Sequence, residues 1–171
     1  MRLRELKEKD APLMLEWMHD DNVIHYLKAN FAEKTMEDCL HFIETSANDK
    51  KNLHMAIADD RDEYMGTVSL KNISEGAAEF AVAIRSCAMG TGCSGYAMRR
   101  ILEIGFEDLC LSSIYWYVSP ANTRAVRFYD KNGYSRVSPE QIRTLLKEFS
   151  PEELSSCHWY LVQKDSSGSP G

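Results

Sequence analysis

The most constraining stretch of the chain is a glycine-rich segment, Gly90-Thr91-Gly92-Cys93-Ser94-Gly95. It sits between a run that alternates like a strand (AAEFAVAIR, 77–85) and one with helical spacing (Ser94 to Leu109). Glycine tolerates positive φ and close backbone approach, so successive N–H groups there can converge on an anion. The helix that follows adds unpaired N–H groups and the positive end of its dipole. A strand-to-helix junction of this kind predicts a phosphate cradle.

The flanking sequence reads as one α/β domain. Leu3 and Leu6 among charges predict a short first strand within 1–8, and Asp10 with Pro12 predicts a capped helix turning Leu13, Met14, Trp17 and Met18 inward. Thr35 with Asp38 is a loose capping pattern for a second helix, with Met36, Leu40 and Ile43 expected on its inner face. LHMAIAD and YMGTVSLKNI, joined by the polar Asp59–Asp62 turn, read as a hairpin, and residues 77–85 as a third strand. SIYWYVS (113–119) is rich in aromatic and β-branched residues and predicts a strand. A helix over 121–131 stops at Asn132-Gly133, and a strand starts at Tyr134–Val137. Pro139–Phe149 reads as a helical insertion and Cys157–Gln163 as a last strand. No linker divides the chain, so a single domain over 1–165 is expected, with 166–171 as a flexible tail.

The 171 residues are 44% hydrophobic and 27% charged, the balance of a soluble globular protein large enough for a core. No apolar run approaches a membrane span, and MRLRELKEKD lacks the apolar stretch of a secretory signal. Five scattered cysteines without a C-x-x-C pair, and histidines that stand apart, predict reduced thiols, a cytoplasmic location and no metal site. The net charge of −6 argues against a nucleic-acid partner, and nothing predicts a membrane partner. Its distribution is uneven. From Arg85 to Arg136, seven basic residues face four acids, a net +3 that leaves −9 for the rest. That split is read either as an anionic ligand on one side and a cationic one on the other, or as chance.

Three kinds of phosphate binder can be separated. A Walker loop would continue with Lys and Ser/Thr, but Tyr96-Ala97 follows here. A dinucleotide unit needs its first glycine at the strand end and an acid closing the next strand. Here Ser86–Met89 intervene and that strand ends Val118-Ser119-Pro120. The third kind brings a resemblance. Residues 78–134 closely resemble the core of the GNAT family of N-acetyltransferases, with its Q/R-x-x-G-x-G/A turn and its Asn-x-x-Ala-x-x-x-Tyr-x-x-x-Gly-[Phe/Tyr] helix. Gly92, Asn122, Ala125, Tyr129, Gly133 and Tyr134 stand at the matching spacings. Met89 replaces the Gln/Arg and Ser94 the second Gly/Ala. The segment LKEKDAPLMLEWMHDDNVIHYL looks like the branch of ribosomal-protein and small-molecule amine acetylases.

The resemblance implies a central, mostly antiparallel sheet of about seven strands with helices on both faces. It also implies direct transfer of an acetyl group from acetyl-CoA to an amine, without a metal. Met89, Gly90, Thr91, Gly92, Cys93, Ser94 and Gly95 would hold the pyrophosphate, with Arg127 for remaining phosphates. Val82, Ala83 and Ile84 would align the pantetheine like an added strand. Asn122 and Tyr129 would reach the cofactor from one helix face, Tyr129 as acid toward the departing thiolate. Glu79 is the chosen base, and by alternation it shares a face with Ala81 and Ala83. From the residues alone, Glu79 could instead be paired with a Lys or Arg, and Tyr129 could simply pack. His19, Asp20 and Asp21 lie where this family closes its acceptor pocket. A small-molecule amine such as a polyamine or amino sugar is the expected acceptor. A protein N-terminus, or a non-catalytic acyl-CoA-binding module, is the alternative. A homodimer stays open.

Overall fold

In the structure, a computed structural model, residues 1–165 are described, so the expected tail at 166–171 lies outside the described residues. Seven strands form one mixed sheet in the order β1-β2-β3-β4-β5-β7-β6. They are β1 (Arg2–Arg4), β2 (Leu53–Ala58), β3 (Tyr64–Ser74), β4 (Ala77–Ile84), β5 (Ser113–Val118), β6 (Arg136–Val137) and β7 (His158–Gln163). All pairings are antiparallel except β4 with β5.

Side chains alternate across strands, which assigns each strand two faces. One face carries Ile57, Val68, Leu70, Phe80, Ile114, Trp116 and Tyr160, packed under α4 (Cys93–Glu103) and α5 (Thr123–Lys131). The opposite face is covered in two parts. Ala56, Tyr64 and Ala83 meet α1 (Ala11–Met18) and α3 (Met36–Ser46), while Tyr115 and Trp159 meet Ile142 of a 3-10 turn over Pro139–Leu145 and Leu146 just after it. A short α2 (Asp21–Ile24) and α6 (Pro151–Ser156), neither anticipated from the sequence, fill the ends of these two covers.

Local chemistry explains where expectation and structure part. Asp10 precedes α1 but does not cap it: its carboxylate accepts from Lys7 N at 2.8 Å and binds both terminal nitrogens of Arg4 at 2.8 and 2.9 Å. A buried guanidinium is the stronger claimant on that carboxylate. The capping box of Thr35 and Asp38 is present, yet Cys39 and Ile43 face inward, while Met36 and Leu40 are exposed. The helix expected over Ser94–Leu109 ends at Glu103 and widens into a π turn at Ile104–Asp108. In the Asp59–Asp62 turn, Asp62 accepts from Arg4 Nε at 2.7 Å and from Arg2 at 2.6 Å.

Arg4 thus ties β1 to the hairpin turn and to the start of α1. Removing one partner of a buried charge pair strands the other and costs about 3–5 kcal/mol. Arg4→Met is expected to lose about that much in urea unfolding. Arg4→Met with Asp10→Leu should recover most of it; a double variant as unstable as the single would contradict this account.

Candidate active site

β4 pairs with β5 only from Ala77–Ser113 to Glu79–Tyr115. Beyond Glu79 the strands separate, although β4 keeps its ladder with β3 to Ile84 and β5 keeps its ladder with β7 to Val118. Backbone groups alternate sides along a strand, so half of those on 80–84 aim into the gap. A groove of about 1100 Å³ occupies this split. On one side of the sheet Asn122, Ala125 and Tyr129 of α5 line it. On the other it runs between α1 and α3 (Trp17, Phe42) and the C-terminal insertion (Phe149, Glu153, Cys157). The site therefore passes through the sheet. A ligand entering from the α5 side meets one entering from the α1/α3 side at the edge of β4.

Past the end of β4 lies the glycine-rich turn, outside the enclosed groove. Gly92 sits at φ 86°, ψ 0° as the residue before α4, and Gly90 at φ 75°. Space is open where a β-carbon would stand at either. The first helical N–H to find an acceptor is Tyr96, on Gly92 O at 3.0 Å. The N–H groups of Gly90, Gly92, Cys93, Ser94 and Gly95 have no such partner among the described residues. Five free amides around a helix start form an anion nest. Cys93 contributes only its N–H, since its side chain is buried in the core and burial pushes its thiol up to about 11. Met89 receives a hydrogen bond from the Arg124 guanidinium at its sulfur, and the Arg99 guanidinium lies 3.4 Å from where a β-carbon would stand at Gly95. These two arginines border the turn. Arg127 is exposed and makes no hydrogen bond or ion pair among the described residues.

The proton-handling groups converge on the split. Tyr129 is 8% exposed, and its hydroxyl has no hydrogen-bond partner among the described residues. Burial, reinforced by Tyr160 and Tyr134, holds its ionisation well above the ordinary range, so it stays a proton carrier. Trp116 stacks on Tyr160 and packs edge-on to Phe80 and Tyr134; its Nε1 is buried without a partner on the groove wall. Asn122 lines the groove while its Oδ1 accepts from Ala125 N at 3.2 Å, capping α5. Val82 and Ala83 line it too; Ile84 does not.

Glu79 is 5% exposed and lines the groove, but not as a free carboxylate. Lys71 Nζ lies 3.4 Å from it and Asn72 Nδ2 donates to it at 3.3 Å. The ion pair considered for Glu79 is thus formed, with Lys71, and the same carboxylate lines the groove. Burial, with the nearby Glu79 charge, raises Tyr115 and Tyr117 to about 12. His54, half-buried on the same face, sits 2.7 Å from Ser69 Oγ through Nδ1, and burial lowers its pKa.

His19, Asp20 and Asp21 do not reach the groove. His19 Nε2 meets Lys34 O at 2.8 Å, and Asp20 caps α2 and takes the Ser86 hydroxyl. Local capping of a four-residue helix accounts for the aspartates without any ligand. The groove instead recruits His54, Phe149 and Glu153, which sequence spacing did not single out. Among the described residues no cluster of metal-binding side chains occurs.

Comparison with known proteins places this geometry. The acetyltransferase (GNAT) domain family matches residues 1–135, and the chain belongs to it. Acetyltransferase PseH of Campylobacter jejuni is 21% identical over 131 residues, covering 77% of this chain and 80% of the relative. An uncharacterized N-acetyltransferase, YnaD of Bacillus subtilis, is 27% identical, with 78% of each covered. The fold is shared with the spermidine N-acetyltransferase of Vibrio cholerae solved with CoA and spermine, at a TM-score of 0.75 and 20% identity, over 95% and 94% of the chains. The protein is thus an N-acetyltransferase of this fold.

A β-branched side chain at Gly92 would be strained at positive φ and would occupy the space above the free amides. Gly92→Val is expected to weaken acetyl-CoA binding at least ~10-fold, the effect of about 1.4 kcal/mol. Calorimetric titration of the variant, with its melting temperature as control, checks this. Unaltered affinity would remove the turn as the phosphate site.

Proposed function

We propose that this protein moves an acetyl group from acetyl-CoA to a primary amine of a small molecule. The observation that carries the reading is the split between β4 and β5: it opens a groove that reaches both faces of the sheet, and a turn of free amides lies just past the end of the same β4. Pantetheine amides would complete the unpaired edge of β4 at Val82, Ala83 and Ile84, as a peptide adds to a sheet. The pyrophosphate would rest on the Gly90–Gly95 amides, with Arg99 and Arg124 beside it and Arg127 one turn further along α5.

In this arrangement the amine attacks the thioester carbonyl, and a β4 N–H aimed into the split stabilises the oxyanion. When the C–S bond breaks, the thiolate takes the Tyr129 proton. Burial keeps this phenol protonated, so it yields its proton only as negative charge develops on the sulfur during C–S cleavage. Glu79 is the carboxylate of the acceptor side: it draws the ammonium to the split and is the first candidate to take its proton, directly or through water.

The acceptor chamber supports a small molecule over a protein terminus. Lys28 pairs with Glu153 and lies 5.6 Å over the Phe149 ring, linking the segment after α2 to the C-terminal insertion. Such a link narrows the chamber, whereas a peptide needs an open trough. All five cysteines are free, which agrees with a reducing, cytoplasmic setting.

Incubation with acetyl-CoA and a panel of amines, amino sugars and N-terminal peptides, reading free thiol, tests the proposal. Small amines are expected to react; acetylation of peptides alone would reverse the acceptor assignment. Tyr129→Phe should lower kcat by about 10²-fold while acetyl-CoA affinity changes little. Unaltered turnover would take the acid role from Tyr129.

A further inference from the structure

The residues register into rows across the sheet, and one row bears on how the acceptor loses its proton. His54 on β2 stands opposite Ser69 on β3, and Ser69 stands opposite Ala81 on β4. Directly opposed residues share a face, so imidazole, hydroxyl and methyl form a line running toward the split. All three line the groove. Ala81 leaves the end of the line open, since a methyl group takes little room. His54 Nδ1 and Ser69 Oγ are 2.7 Å apart, a full hydrogen bond. The next row on the same face holds Lys71 opposite Glu79, where the carboxylate already accepts from Asn72 and faces a lysine. Glu79 is therefore suited to orient an ammonium, but part of its charge is committed.

We propose that Ser69 and His54 form a proton relay for the acceptor: Ser69 Oγ accepts a proton from the ammonium while its own proton passes to His54 Nδ1. The balance is simple. The amine leaves neutral with its lone pair free to attack, Ser69 is unchanged, and the imidazole becomes imidazolium. The relay rests on the transferase reading above and takes the proton-accepting step over from Glu79, which keeps the role of drawing the ammonium to the split. It requires a neutral imidazole with its proton on Nε2, so that Nδ1 can accept.

The surroundings favour the neutral imidazole. The Phe42 ring of α3 packs 4.7 Å from the imidazole, with His41 and Asp38 further along the same wall. Asp49, in the loop before β2, and Lys71 act on it with opposite charges, while Glu79 on β4 is held by Lys71. Burial dominates and moves the His54 pKa below its ordinary value. The sign follows: the relay works when His54 is neutral, so kcat/KM should rise with pH through a pKa below about 6.5 and level off above it.

The test compares pH profiles of kcat/KM for the wild type, His54→Gln, Ser69→Ala and Glu79→Gln, using the best amine from the panel. His54→Gln and Ser69→Ala are expected to lose about 10²-fold at pH 7 and to lose the acid limb, with acetyl-CoA affinity and melting temperature retained. Glu79→Gln should raise KM for the amine and keep the limb. A limb that persists in His54→Gln, or a wild-type rate in Ser69→Ala, overturns the relay. Should either variant fold poorly, nitrogen NMR of the wild-type imidazole decides instead: an Nε2–H tautomer titrating below about 6.5 supports it, an Nδ1–H tautomer defeats it. A wild type that binds acetyl-CoA yet acetylates no amine defeats the transferase reading and the relay together. A transferring wild type with an insensitive His54→Gln defeats the relay alone.

Discussion

β4 and β5 pair for three residues and then part, and each strand stays fully laddered on its other side. Strands in a sheet twist relative to one another, so two well-anchored half-sheets sharing only a short seam open beyond it. The two covers keep them open: α1 and α3 pack on the β1–β4 half, and the Pro139–Ser156 insertion packs on the β5–β7 half. Unpaired backbone groups along such a gap cost free energy unless water or a ligand satisfies them. A ligand with amides of its own matches that edge better than an apolar one does. The glycine-rich turn lies one short connection beyond the same strand, so under the proposed function cofactor alignment and cofactor anchoring would both derive from β4.

The elements that dominate this arrangement were legible because their local signals were strong. Alternation in AAEFAVAIR and SIYWYVS marks β4 and β5, and Asn132-Gly133 ends α5 with Gly133 at φ 80°. What the sequence could not carry were competitions between distant groups. Asp10 looks like a helix cap until Arg4 is brought to it by the β1–β2 pairing. Met36, Leu40 and Ile43 look like one inner face, but of these only Ile43 is buried, and Cys39 takes the place of the other two. Short helices such as α2 and α6 carry too few turns for any periodicity to register.

The site divides in the same way. Gly92, Asn122 and Tyr129 carry spacing within one local unit and could be named from the chain alone. The acceptor side is assembled across the sheet, where spacing says little. His54 and Ser69 are fifteen residues apart and meet only because the hairpin register sets them opposite each other. Alternation within the two hairpin strands does place both on one face, so the signal existed, but it needed the register to be read. Glu79 was found through its strand, while its partner Lys71 needed the same register.

The charge asymmetry takes on a different meaning once the partners are known. Arg85 is buried against Glu16 and Glu63, Arg136 pairs with Asp130, and Arg100 with Glu103. Those cations stabilise the fold or its surface and are not free for a ligand. Arg99 and Arg124 remain beside the turn, so under the proposed function phosphate recognition there would rest mainly on backbone amides, with these guanidinium groups assisting. On the acceptor side, Glu79 and Glu153 are each matched by a lysine. Of the seven cations from Arg85 to Arg136, Arg85, Arg100 and Arg136 are held by internal pairs, while Arg99, Arg124, Arg127 and Lys131 make no ion pair among the described residues, so the basic excess of that stretch stays on α4, which follows the turn, and on α5.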